Sequence, residues 1–421
     1  MSTTMLSPET YQPFSPESLS CPHAAWAMLR RESPVHRVDI PGLPFAAFYV
    51  TRKKDLQYVC DHPAIFSSAP PSAAWRWGPD MGPALNEIFD DGGWRPEHTF
   101  VTSDLPNHPQ YRKVIAAGIP PRKVEALRPA IQEIIDQLTA SLAAGGVVDF
   151  MQEYAVPLPL RVIGIILGLP RQDDKFLSDF ADAYMRMVDP SVAIEVAKEA
   201  TREVVEGQKY LAKLLDQYQQ NPADNLMSDY ANAVKDDGTP MTINEKLSMA
   251  TITVIGGNET TRHALGNCAY LLARHPALWE RLQREPAKIP AFVEESLRTH
   301  APSTATARGV KVDTELGGTH IPAGSCLYMI WGSGSVDEAA FECPQEIDLD
   351  RKGGKAHVSF GTGAHFCAGN HLARAELIQS VSTWLNTFER IELGAPSEEI
   401  QFAPILAFRA FHELPLRFVK K

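Results

Sequence analysis

The stretch FGTGAHFCAGNHLARAEL, residues 360–377, places a cysteine between a glycine-punctuated turn and a segment with helical periodicity. Gly361 and Gly363 let the chain take positive φ without steric cost, and LARAELIQSVSTWL downstream carries apolar residues at three and four residue spacing. Cys367 therefore sits at a loop-to-helix junction, where unsatisfied backbone N–H groups and the positive end of the helix dipole favour thiolate over thiol. Such a position suits chemistry or a metal. The other five cysteines, at 21, 60, 268, 326 and 343, form no CxxC pair and read as small buried apolar residues.

The 421 residues contain no Gly/Ser-rich or Pro-rich linker, no repeat and no low-complexity tract, so a single domain spanning 1–421 is expected. With 44% hydrophobic and 22% charged residues, the composition is that of a globular protein. Forty basic against fifty-one acidic residues, a net charge of −11, argue against nucleic acid and anionic membranes as partners. No signal-like N-terminus or long apolar run occurs, which predicts a cytoplasmic location.

Residues 35–51 read as a hairpin around Pro41 and Gly42. Segments 122–142, 202–218, 287–300 and 368–388 have helical periodicity, and short β-like pieces recur at 317–328 and in the terminal LPLRFV. The fold class is mainly α with small β-sheets. Thr242-Ile-Asn-Glu245 has the form of a capping box and Pro276 marks a far limit, so one helix of about 32 residues, roughly 48 Å, can run between them. Its middle carries Gly256-Gly257-Asn258-Glu259-Thr260-Thr261, where two glycines and an acid interrupt an apolar stretch. A local rule broken there marks a functional site.

The cysteine loop, the Gly-Gly-x-Glu-Thr-Thr stretch and Glu295-Ser-Leu-Arg298 occur together in an order and spacing that resemble the cytochrome P-450 superfamily of heme-thiolate monooxygenases. That family's loop reads Phe-Gly-x-Gly-x-His/Arg-x-Cys-x-Gly, and FGTGAHFCAG matches every fixed position. The resemblance implies a long central helix over heme b (iron protoporphyrin IX), with Cys367 as the iron ligand and Phe360, Gly361 and Gly369 shaping the loop around it. Zinc on His365, Cys367 and His371 is disfavoured, because no second Cys/His cluster completes a four-ligand set.

The same resemblance assigns the heme propionates to His108 and Arg112, within Asp104-x-Pro106-x-His108-x-x-x-Arg112, and to Arg308 and His365. It makes Glu295 and Arg298, with Arg351, a buried structural network. It makes Glu259 and Thr260 the acid and alcohol that deliver protons while dioxygen is reduced, with Gly256 and Gly257 leaving room for oxygen. No flavin or iron–sulfur region lies within these residues. Electrons are thus expected from a ferredoxin or flavodoxin with its NAD(P)H-dependent reductase, docking on Arg112, Lys113, Arg122, Lys123, Lys352, Lys355 and Arg374.

The expected reaction is hydroxylation or oxidative dealkylation of a small apolar or aromatic substrate. Contacts are expected from residues 67–85, 180–189, 252–257, 302–307 and 403–408. The alternatives are a peroxide-dependent peroxygenase and a non-catalytic heme-binding sensor or carrier. The retained Glu259-Thr260 pair argues against the first. The sequence departs from the family pattern at Ser335-Val336-Asp337 and at Arg409-Ala410.

Overall fold

A computed structural model describes residues 7–40, 45–71, 82–143, 145–189 and 192–421. Its spine is the central helix Ile243–Arg274, 32 residues long and uninterrupted through Gly256-Gly257. Both halves of the capping box form: Thr242 Oγ1 accepts the Glu245 N–H at 3.2 Å, and Glu245 Oε2 accepts the Thr242 N–H at 2.7 Å. Pro276, which lacks a backbone donor, opens the next helix, Pro276–Arg284.

The central helix is buried over most of its length, with Val254, Leu265 and Ala269 all at 0% exposure, which only a helix surrounded by others can be. It packs against the helices Pro157–Leu167, Ile194–Gln220, Ile289–Thr299 and Asn370–Thr387. The helix predicted from 202 begins at Ile194, while the others start and stop within two residues of the predicted limits.

A five-stranded sheet lies to one side in the order Val35–Val38, Ala47–Val50, Cys326–Ile330, Ala305–Val310 and Phe66–Ser67. Ala47–Val50 and Cys326–Ile330 run parallel, and the other neighbours are antiparallel. The predicted hairpin strands are present; its turn dipeptide, Pro41 and Gly42, lies outside the described residues. The terminal LPLRFV enters the strand Pro415–Lys420, between Val147–Asp149 and Phe388–Leu393. Among the described residues no helix is long and apolar enough to cross a membrane.

Candidate functional site

Gly361 and Gly363 both have φ of +70°, a conformation that costs a residue with a Cβ. The turn they make lets the Cys367 N–H reach the Phe360 carbonyl at 2.9 Å, and Asn370 Nδ2 donates to the Cys367 carbonyl at 2.9 Å as the helix Asn370–Thr387 begins. Arg112 clamps the loop from outside, donating to the Phe366 carbonyl at 2.6 Å. Arg374 lies over the Phe360 ring, 4.4 Å from its centroid.

The groups at the junction pull Cys367 toward thiolate, as the sequence leads one to expect, against its burial. Burial pushes the Cys367 thiol up; the Gly369 N–H, Arg112 and Arg374 pull the other way without overcoming it. A cation bound at sulfur is what such a site requires to hold the deprotonated form. Among the described residues no group of three or more His, Cys, Asp and Glu could hold a metal ion, so the zinc alternative finds no ligand set.

Beside the loop, four basic side chains converge from three separate segments, His108 and Arg112 sharing the helix His108–Gly118. The His108 and His365 rings are 4.0 Å apart between centroids, Arg308 is buried with Nη1 donating to the Ala307 carbonyl, and Arg112 stands over Phe100. His365 is pushed down to about 3 by burial, then by Arg308, His108 and Arg112. His108 is likewise lowered, by burial and then by Arg112, and its buried Nε2 has no partner. The nearby acid, Asp104, is already engaged by Ser67 at 2.6 Å, the Ser68 N–H at 2.7 Å and Lys311 at 2.9 Å. A mutually repelling basic cluster with an orphaned donor fits a group that brings two carboxylates, as heme does.

In its middle, the central helix turns two adjacent glycines in different directions. A Cβ added at Gly256 would meet nothing within 4 Å, whereas one at Gly257 would lie 2.8 Å from Ile163 Cδ1. The assignment of Gly257 to the cofactor side is therefore corrected: it permits close packing of Pro157–Leu167, and Gly256 alone of the two borders open space. Thr260 donates its hydroxyl to the Gly256 carbonyl at 3.1 Å, one turn back.

Glu259 is 2% exposed. Its Oε2 accepts from Arg262 at 2.8 Å and lies 3.6 Å from His263 Nε2; its Oε1 is without a partner. Arg262 reaches on to Asp182 at 3.4 Å, whose side chain is 54% exposed. Arg262 and His263 were missed by the sequence reading, although three and four residues from Glu259 they share its face. Asp182 left no local signal, being 80 residues away from Arg262.

Below the loop, Glu295 binds Arg298 at 2.7 Å and Arg351 at 3.1 Å, as expected. Its neighbour Glu294, missed from sequence, binds Arg374 at 2.6 Å and His357 at 3.1 Å, and so ties the Ile289–Thr299 helix to the cysteine loop. Of the seven basic residues expected on a docking face, Arg374 and Lys123 are thereby paired, Lys123 with Asp224 at 2.8 Å. Lys113, Arg122, Lys352 and Lys355 are exposed.

The profile of the family described as Cytochrome P450 matches residues 189–402. Nocardicin C N-oxygenase of Nocardia uniformis subsp. tsuyamanensis is 31% identical over 397 residues, covering 94% of this chain and 95% of that protein. Cytochrome P450 monooxygenase PikC of Streptomyces venezuelae is 30% identical, covering 94% and 91%. Among solved structures, cytochrome P450 PksS of Bacillus subtilis 168 superposes with a TM-score of 0.84 at 28% identity, over 98% of this chain and all of that one. With the fold, the glycine-shaped cysteine loop and the basic cradle beside it, these similarities establish that the chain belongs to the cytochrome P450 family, oxidoreductases whose cofactor is heme b held through a thiolate.

Proposed function

We propose that Cys367 supplies the thiolate to heme iron, that Phe360, Gly361 and Gly369 shape the loop against one porphyrin face, and that His108, Arg112, Arg308 and His365 hold the two propionates. The observation that carries this reading is the basic cradle beside Cys367, whose members depress one another and leave His108 Nε2 unpaired. When bound, heme supplies an iron centre that activates dioxygen with two electrons, the thiolate favouring O–O cleavage.

The chain's own residues do the rest. Gly256 keeps the opposite side of the site open, and the Thr260 hydroxyl, parked on the Gly256 carbonyl, stands there as the proton donor. Glu259 is too buried to meet solvent directly. Arg262 stays charged and cannot relay a proton itself; it holds Glu259 beside the exposed Asp182, and the Glu259 carboxylate takes up protons when it leaves that pairing toward the surface. The substrate is a small organic molecule with an apolar part lying along Gly256, undergoing hydroxylation or oxidative dealkylation. Electrons come from a separate ferredoxin or flavodoxin with its NAD(P)H-dependent reductase, docking near Lys113, Arg122, Lys352 and Lys355 on an otherwise acidic, cytoplasmic protein.

The deciding experiment is the spectrum of the purified, reduced, carbon-monoxide-treated protein beside its Cys367→His variant. A Soret maximum at the thiolate-diagnostic position in the parent, lost in the variant while heme stays bound, is the expected result. No such maximum in the parent, even after hemin reconstitution, overturns the reading. Oxygen consumption driven by a ferredoxin system then separates an oxygenase from a carrier.

A further inference from the structure

His263 lies one turn beyond Glu259 on the central helix and shares its face. It is 5% exposed, with Nε2 3.6 Å from Glu259 Oε2 and Nδ1 buried without a partner among the described residues. The half-buried Phe408 packs on the imidazole at 5.4 Å between centroids, and His412, four residues further along, is exposed. One aromatic side chain thus separates the His263 ring from the surface.

A second buried imidazole beside a glutamate shows what a purely structural pair looks like. His357 accepts the Ser359 N–H on Nδ1 at 3.2 Å and donates Nε2–H to Glu294 at 3.1 Å. Both of its nitrogens are committed, which fixes one tautomer. At His263 neither is held in that way: the carboxylate stands just beyond hydrogen-bond length from one nitrogen, and the other meets no donor or acceptor. A histidine kept for packing alone would gain by satisfying both.

Burial pushes the His263 imidazolium down; Glu259 pulls it back up, and Arg262 and His412 push it down again, so the balance favours the neutral ring. Of these groups Glu259 and Arg262 belong to its own helix and His412 to the C-terminal segment. A neutral imidazole carries one N–H and one free nitrogen, and so can take a proton on one while giving up the other. Arg262, always charged, cannot.

We propose that His263 is the relay that returns protons to Glu259 while the carboxylate stays paired to Arg262. A proton from water on the Phe408–His412 side goes to Nδ1, the Nε2 proton goes to Glu259 Oε2, and the imidazole is left neutral in its other tautomer. Each cycle moves one proton from water to carboxylate, and a ring flip about the Cβ–Cγ bond readies the next. His263 acts through Glu259. The proposal rests on the functional reading above, in which Glu259 feeds the Thr260 hydroxyl.

The test is nitrogen NMR with labelled histidine on the heme-loaded, reduced, carbon-monoxide-bound protein, which is diamagnetic. Its carbon-monoxide spectrum is recorded first, so that a missing thiolate signature, which defeats the functional reading, is told apart from a failure of the relay. The His263 signals are assigned by their loss in His263→Gln or, should that variant not load heme, in His263→Asn. The expected result is a ring that stays neutral from about pH 6 to 8, averages its two tautomers, and exchanges its proton with water at least about 100-fold faster than His357. Glu259→Gln, whose amide cannot pass a proton on, should lock His263 in one tautomer and slow its exchange about tenfold or more. His412→Ala should slow exchange severalfold without shifting the tautomer balance. A single tautomer exchanging as slowly as His357, a charged ring at neutral pH, or exchange indifferent to Glu259→Gln overturns the relay. An unchanged rate in His412→Ala overturns the entry point on that side.

Discussion

Glu294 and Glu295 stand side by side on the helix Ile289–Thr299, and all four of their carboxylate oxygens are bonded, to Arg374 and His357 on one side and to Arg298, Arg351 and the Asp348 N–H on the other. On the central helix, Glu259 has one oxygen engaged and one without a partner, and the same is true of its surroundings: Asn258 Oδ1, Arg262 Nε and His263 Nδ1 are all buried and unpaired. Both regions bury charge, yet only one saturates it. Unsatisfied buried polar atoms are costly and uncommon, so a concentration of them on one turn of helix marks a place where protons or ligands have to come and go. The saturated region below the cysteine loop is scaffolding by the same reasoning.

The largest effect is expected where saturation is complete. Arg298 is 0% exposed, holds Glu295 bidentately and also donates to the Pro344 and Glu346 carbonyls. Arg298→Ala strips the buried Glu295 of its bidentate partner, leaving it only Arg351 and the Asp348 N–H, and orphans the Pro344 carbonyl, a loss of about 3–5 kcal/mol. Denaturant unfolding is expected to show it, or heme-loaded protein fails to accumulate; a variant as stable as the parent would break the contrast.

On the unsaturated side the expected cost falls on activity. Glu259→Gln keeps the shape but not the transferable proton, and should lower product formation by about 100-fold with little change in unfolding midpoint. Thr260→Ala should keep heme and substrate binding while reducing equivalents leak to hydrogen peroxide. Fully coupled turnover in the alanine variant would remove Thr260 from the proton route.

Smaller again is the acid limb of stability. Burial alone would raise the Glu294 carboxyl, but His357 and Arg374 outweigh it and hold it at about 2, against an ordinary value of 4.5. A depressed folded value means that this contribution is complete above about 4.5 and is lost as pH falls toward 2. Glu294→Gln should flatten the pH dependence of the melting temperature across that window, and an unchanged slope would place the acid sensitivity elsewhere.

How much of this could be read from the chain follows the range of the interactions. The capping box at Thr242, the cysteine turn and the Glu295–Arg298 pair are local, and each is visible at fixed spacing in the sequence. The helix beginning at Ile194 was entered eight residues late because its first apolar residues, Ile194 and Val196, are 45% and 43% exposed, while small Ala197 and Ala200 mark the buried side. That inverts the pattern a periodicity reading depends on. Glu294 with His357 and Arg374, and Arg262 with Asp182, join residues 63 to 80 positions apart, and no local signal announces them.

The two glycines provide the smallest and sharpest comparison, because in sequence they are indistinguishable. At Gly257 an added methyl would approach Ile163 to 2.8 Å, and since the helix Pro157–Leu167 is itself packed on the other side by Asp174–Val188, the isoleucine has little freedom to yield. Gly257→Ala should therefore destabilise by about 1–3 kcal/mol. At Gly256 the same methyl meets nothing, so alanine's better helix propensity should raise stability by up to about 1 kcal/mol while narrowing the space the substrate passes. Melting temperatures moving in opposite directions, with substrate affinity weakened only in Gly256→Ala, are the expected pair of results. Shifts of the same sign would mean that both glycines pack against protein, and the open side of the central helix would have to be sought on another face.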